Sequence, residues 1–157
     1  MAKIPDWLLK WPRNDGKKVP CIQKHSELRT FLYTEEFPET CDLNWLVMSS
    51  EHETVGEYQL APGSHFSPDD VHAGDEIYYV IKGEVTMFQP ETGQVVRVPK
   101  GQGILMPKDC PHMGYNFSEQ ESRMLYVIAP QMWGQDGPPS DYAGDVLLYK
   151  YQERRTK

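Results

Sequence analysis

Residues 70–83 read DVHAGDEIYYVIKG, and residues 101–116 read GQGILMPKDCPHMGYN. In the first stretch an apolar run, 76–82, opens on Glu76, with His72 on its approach and Gly83 just past its end. A β-strand has a period of two, so Glu76, Tyr78, Val80 and Lys82 share one face and Ile77, Tyr79 and Ile81 the other. Neither face is cleanly polar or apolar, as expected of a barrel strand with an interior cavity. In the second stretch a shorter run, 103–106, stops at Pro107, turns through Lys108 and Asp109 and leads to His112. Two neighbouring strands of a barrel would bring His72, Glu76 and His112 together. Two imidazoles and one carboxylate make the facial triad by which non-haem Fe(II) oxygenases hold iron with coordination positions left open.

Outward from these stretches the chain repeats one pattern. Short runs rich in Val, Ile, Tyr, Phe and Leu occupy 44–49, 54–61, 84–89, 95–98, 123–129 and 145–151, punctuated by 13 prolines and 12 glycines. Many short strands with frequent turn signals predict an all-β sandwich or barrel. PETG at 90–93 reads as a hairpin turn between two of these runs. Helix is expected only near the N-terminus, as single turns at 6–10, capped by Asp6 and stopped by Pro12, and at 26–31. The stretch 134–144, GQDGPPSDYAG, is a loop by composition.

Composition narrows the class. The 157 residues make one domain and can bury a core without staples. No apolar run is long enough to cross a bilayer, and the first residues, MAKIPDWLLKWPRND, lack the features of a secretory signal. Three cysteines, Cys21, Cys41 and Cys110, fit no zinc or CxxC spacing, so a cytoplasmic setting is expected. The net charge of −7 is uneven. Residues 1–30 hold seven Lys/Arg against three Asp/Glu (+4), residues 31–149 five against 19 (−14), and residues 150–157 four against one (+3). So acidic a body repels phosphate backbones, which speaks against nucleic acid as a partner; the basic ends are expected to fold onto it or onto a partner subunit. Serine-triad spacing, a phosphate-cradling glycine loop and a dinucleotide fingerprint are all absent.

The two opening stretches resemble the paired motifs of the cupin family. In its first motif a His is followed by three residues, Glu, six residues and Gly, as in His72, Glu76 and Gly83. In its second, Gly, five residues, Pro, four residues, His, three residues and Asn follow one another, as in Gly101, Pro107, His112 and Asn116. The resemblance covers about residues 54–130 and leaves 1–40 and 131–157 unread. It implies a double-stranded β-helix, or jelly roll, with a divalent metal held by three His and one Glu. Two departures stand out. Asp70 takes the place of the first His, behind a loop one residue longer from Gly63, and Asp109 takes the place of a Gly. Asp70 either completes the metal site with His72, Glu76 and His112 or points away and leaves a site of two His and one Glu. His65, in the same loop, is a further candidate. The resemblance also implies a homodimer, with the basic end segments available for exchange between subunits.

The expected activity is that of a small metal-dependent enzyme. Fe(II) in the triad would bind an enol, aromatic or hydroxy-acid substrate directly and give dioxygenase chemistry. Mn(II), Ni(II) or Zn(II) there would polarise a carbonyl for isomerisation, decarboxylation or lyase chemistry. A non-catalytic ligand-binding protein is the reading from a different class. Tyr78, on the face of Glu76, and Tyr115, close to His112, are candidates to line the cavity. Tyr126 is a further aromatic on these strands. Lys82, Arg97 and Arg123 are the strand-borne cations that could pair with a carboxylate substrate. Cys110, two residues from His112, reads as a small apolar wall residue and not a redox thiol. Gly83 and Gly101 are expected in tight turns, and Asn116 is expected to hold a backbone group near the site.

Overall fold

The computed structural model describes residues 9–13, 15–34, 41–66, 69–72 and 74–130, with the backbone alone at 31–34 and 41–42. The expected strand at 145–151, the loop at 134–144 and most of the helical turn at 6–10 lie outside the described residues. Strands β1 (Arg29–Thr34), β2 (Cys41–Ser49), β3 (Thr54–Leu60), β4 (Asp75–Lys82), β5 (Glu84–Gln89), β6 (Gln94–Pro99), β7 (Gly103–Met106), β8 (Met113–Tyr115) and β9 (Ser122–Ala129) form two sheets. One has the order β1-β2-β3-β9-β4-β7 and the other β6-β5-β8, and the paired strands run antiparallel. Residues from the inner faces of both, among them Leu46, Tyr58, Leu60, Val80, Met124 and Ile128 on one side and Val85, Met87 and Val98 on the other, close a single core. This is the all-β jelly-roll architecture.

The alternation read from 76–82 decides what faces inward. Glu76, Tyr78 and Val80 are buried, while Ile77, Tyr79 and Ile81 are exposed on the other side of β4. The alternation stops at a register shift between Val80 and Lys82, which leaves Lys82 at the surface. Gly83 then makes the tight link to β5 at φ 68°. A side chain there would collide with the carbonyl of Glu121, so both conformation and space require glycine. The expected turn at 90–93 joins β5 to β6, with Gly93 at φ 72° and its N–H on the Gln89 carbonyl at 2.9 Å.

The helical turn expected at 26–31 is corrected. One 3-10 turn covers His25–Glu27, and from Arg29 the chain is β1, paired with β2 from Arg29↔Leu46 to Thr34↔Cys41. The sequence RTFLYT is rich in aromatic and β-branched residues, and the sheet edge offered by β2 overrides the weak helical start. Among the described residues no helix is long and apolar enough to cross a membrane.

Asn116 ties the crossing between the two sheets. Its side chain is fully buried, and its Nδ2 donates to the carbonyls of Leu60 (3.1 Å), Ala61 (3.1 Å) and Gln120 (2.7 Å). Its Oδ1 accepts from Ser118 N–H (3.1 Å) and Ser118 Oγ (2.7 Å). Asn116→Leu removes all of these bonds from a buried position, so about 3 kcal/mol of stability is expected to be lost. A urea-unfolding midpoint equal to that of the wild type would show that the network carries no weight.

Candidate metal centre

Three pieces of backbone aim side chains at one point inside the barrel. Glu76 is carried by β4 on its inner face. His72 is held by the loop before β4, where its carbonyl accepts the Asp109 N–H at 2.7 Å. The same turn is pinned a second time by Lys108 N–H on Asp75 Oδ1 at 3.0 Å. Asp109, which stands at the usual glycine position of the motif, holds φ 60°, a left-handed conformation that Asp tolerates better than most side chains. His112 precedes β8 and pairs with Asp70: Asp70 N–H donates to His112 O at 2.8 Å, and His112 N–H to Asp70 O at 3.0 Å. Residues directly opposite in an antiparallel pair project to the same side, so this bridge sets the Asp70 carboxylate beside the His112 ring.

The result is a closed cluster in which Asp70, His72, Glu76 and His112 are all buried. Glu76 Oε2 lies 3.2 Å from His72 Nε2 and 3.1 Å from His112 Nε2. One ligand atom each of Asp70, His72 and His112 lie within 4.8 Å of one another. His112 Nδ1 sits 2.9 Å from the Cys110 carbonyl, so Nδ1 carries the hydrogen and Nε2 is the nitrogen offered to the centre. Tyr78, one turn of the pleat beyond Glu76, brings its hydroxyl to 3.5 Å from His112 Nε2. Phe66 stands edge-on to the His112 ring at 6.0 Å. It fits there because Gly114 has no side chain; a Cβ would collide with the Phe66 ring.

Electrostatics follow from this geometry. Burial alone would raise the Glu76 carboxyl, but the two imidazoles outweigh it and bring it down from its usual 4.5 to about 2. Burial would likewise lower His112; Glu76, and then Asp70, reverse that and lift it from 6.5 to about 9. His72 is raised by the same carboxylates against the same desolvation. Two buried carboxylates therefore call for positive charge, which protonated rings or a bound cation can provide.

The donor set fits a divalent ion. Ligands about 2.1 Å from one ion stand about 3 Å apart along a coordination edge, which is the spacing from Glu76 Oε2 to both ring nitrogens. That oxygen makes no aligned hydrogen bond with either ring, the arrangement of groups that face a common point. Two imidazole nitrogens and two carboxylates suit Fe(II), Mn(II), Ni(II) or Zn(II).

Of the residues singled out in the sequence, His72, Glu76, His112 and Asp70 are brought together, and Tyr78 lies against them. Tyr115 is not at the cluster. Its side chain leaves β8 on the side opposite His112, stacks on His65 (5.1 Å between ring centres) and on Phe117 (5.3 Å), and so lines an outer surface. The spacing holds the reason: it lies three positions after His112, and an odd step along a strand changes face. His65 shares that outer position, beyond reach of the centre. The candidate cations for a carboxylate substrate pair with acids outside the cluster instead: Lys82 with Glu121 (2.6 Å), Arg97 with Glu84 (2.6 Å) and Arg123 with the largely buried Glu57 (3.0 Å). Phe66 was not legible as a wall residue, because its place depends on Gly114, 48 positions away.

Comparison with known proteins bears on this geometry. Residues 56–128 match a family model described as the cupin domain. No curated protein matches the chain. Among solved structures, a protein from Thermus thermophilus is similar at 26% identity, covering 70% of this chain and 97% of its own, with a TM-score of 0.54. An uncharacterized conserved protein with a double-stranded β-helix domain from Klebsiella pneumoniae is similar at 20% identity, covering 71% and 91%, with a TM-score of 0.57. The polyketide cyclase RemF from Streptomyces resistomycificus is similar at 15% identity, covering 82% and 89%, with a TM-score of 0.62. The last two likenesses are of fold.

Proposed function

Residues 56–128 of this chain belong to the cupin superfamily, and on that premise we propose that the protein is a metal-dependent enzyme, an Fe(II) oxygenase acting on a small enol, aromatic or hydroxy-acid substrate. The observation that carries the reading is the convergence of Glu76 Oε2 and the two Nε2 atoms at 3.1 and 3.2 Å inside a buried wall. In this reading His72, Glu76 and His112 would hold the ion, and Asp70 would stand beside them without ligating it. A bound Fe(II) supplies one-electron chemistry with O2 and open positions for a chelating substrate, whereas Mn(II), Ni(II) or Zn(II) supplies Lewis acidity.

The chain's own residues have definable parts. The Cys110 carbonyl fixes the tautomer of His112, and the Asp109 N–H fixes the loop that carries His72. The Tyr78 hydroxyl, 3.5 Å from His112 Nε2, is placed to donate a hydrogen bond to an oxygen of a substrate bound at the centre. Phe66 and Met106 belong to the apolar shell that keeps bulk water away.

One observation favours a second reading. The backbone bridge to His112 places the Asp70 carboxylate in the cluster. Four protein ligands leave an octahedral ion about two positions, which a chelating substrate fills without room for O2. That arrangement suits a non-oxidative isomerase, decarboxylase or lyase. Metal analysis with an oxygen-electrode screen of enols, catechols and hydroxy acids separates the two. Bound iron with substrate-dependent O2 uptake that a chelator abolishes is the result expected of the oxygenase. Substrate turnover without O2 uptake selects the second reading. Protein that retains no divalent metal and gains no stability from one overturns both.

A further inference from the structure

Phe66 bridges the two sheets beside the candidate metal centre. Its backbone runs antiparallel to β8, with Asn116 N–H on Ser64 O at 2.8 Å and Phe66 N–H on Gly114 O at 3.1 Å. Its ring is buried. It stands edge-on to His112 (6.0 Å between ring centres, 85°) and to Tyr58 (5.7 Å, 79°), and nearly parallel to Tyr78 (6.4 Å, 24°). One side of the ring therefore rests on the smaller sheet at Gly114, and the other meets Tyr58 of β3 and Tyr78 of β4 in the larger sheet.

Two glycines fix where these rings lie. Gly114 is buried on β8 opposite Met87 of β5, and a Cβ there would collide with the edge of the Phe66 ring. Gly56 of β3 seats Tyr126, its register partner on β9, in the same way. Tyr126 stands edge-on to Tyr58 (6.4 Å, 81°), and Tyr58 in turn backs Phe66. The row of rings is thus held at both ends, and Phe66 has no room to retreat towards β8 or β3. Close-packed rings of this kind yield only by straining their neighbours.

Among the rings that touch His112, His72 and Tyr78 bring polar atoms to the cluster. Phe66 has none and acts by the space it fills. We propose that Phe66, seated on Gly114, determines how bulky a substrate the metal centre admits. The inference rests on the reading of the cluster as a metal centre that binds its substrate directly. A chelating substrate puts its oxygens on the ion and its remaining atoms against the side chains that flank Glu76 and His112. The fixed ring leaves room there for a compact substrate and turns away one that carries a phenyl-sized group. Shortening Phe66 relaxes the limit. A Cβ at position 114 drives the ring off its seat, further into the barrel, and tightens it.

Co(II)-loaded protein, titrated with acetohydroxamate and with benzohydroxamate and followed by the visible absorption of the ion, provides the test. The two probes share a chelating head and differ by a methyl against a phenyl group. The ratio of their dissociation constants therefore reports bulk and cancels the strength of the metal bond. The wild type should bind acetohydroxamate the more tightly. Phe66→Val should shift the ratio at least about tenfold towards benzohydroxamate, since one methylene in a fitted pocket is already worth that much. Phe66→Leu keeps more of the core filled and should shift it in the same direction, should the valine variant not fold. Gly114→Ala should shift it in the opposite direction, which a mere loosening of the core would not do. A folded, Co(II)-loaded Phe66 variant with the wild-type ratio overturns the proposal. So does a wild type that prefers benzohydroxamate, or one that holds Co(II) and binds neither probe. Protein that takes up no Co(II) overturns the metal-centre reading itself, and the proposal with it.

Discussion

His112→Ala is expected to reduce divalent-metal affinity by at least about 100-fold, so that the purified variant carries under a tenth of the wild-type metal content. The size of the effect follows from position. His112 Nε2 is one of the two ring nitrogens that meet Glu76 Oε2, and the ring is held by its own backbone bridge to Asp70 and by Nδ1–H on the Cys110 carbonyl. No other imidazole among the described residues is placed to replace it: His65 stacks on Tyr115 outside the cluster, and His25 lies on Trp45. The substitution also leaves Glu76 buried with a single imidazole partner, which costs several kcal/mol in the metal-free form. Far-ultraviolet circular dichroism of the variant therefore accompanies the metal analysis. Unchanged metal content in a folded variant rejects the assignment of the centre. Asp70→Asn, measured alongside, separates the two coordination sets. A loss of tenfold or more places Asp70 among the ligands, and wild-type affinity leaves two imidazoles and one carboxylate.

The difference between those two outcomes shows where the sequence stops being readable. The alternation of 76–82 and the spacing from His72 to Gly83 and from Gly101 to Asn116 carry the barrel, the inward face of β4 and three members of the cluster. They do so because strand period and turn spacing are local properties. The role of Asp70 is not local. It turns on a backbone bridge to a residue 42 positions away, and no pattern around Asp70 encodes that pairing. β8 escaped for a related reason: MGY is three residues long, too short to show an alternation, and it becomes a strand because β5 pairs with it. Tyr115 is a different kind of miss. Its odd spacing from His112 was in plain view and already implied the opposite face. Asn116, by contrast, holds carbonyls and not a ligand, in agreement with the structural role read for it.

Raising the pH from 6 to 9 is expected to weaken the metal-free protein while tightening its hold on metal. Glu76, depressed from 4.5 to about 2, contributes stability that is complete above its ordinary value and is lost as the pH falls towards 2. His112, raised from 6.5 to about 9, contributes stability that is complete below 6.5 and is lost as the pH rises through 9, and His72 is shifted in the same direction. The metal-free fold therefore gains most from the cluster between about pH 4.5 and 6.5, where the carboxylate is charged and the rings hold their protons. A cation needs the ring nitrogens bare. It must displace those protons, so its apparent affinity climbs about tenfold per pH unit for each proton released. One buried charge balance is thus met by protons at low pH and by the ion at high pH, and the increase in melting temperature on adding metal should widen steadily across this range. Thermal unfolding with and without Fe(II) (under argon) or Zn(II), at pH 6, 7.5 and 9, measures it directly. A metal-induced increase that stays flat from pH 6 to 9 would mean that the rings are neutral before the ion arrives, and that Glu76 does not hold their protons.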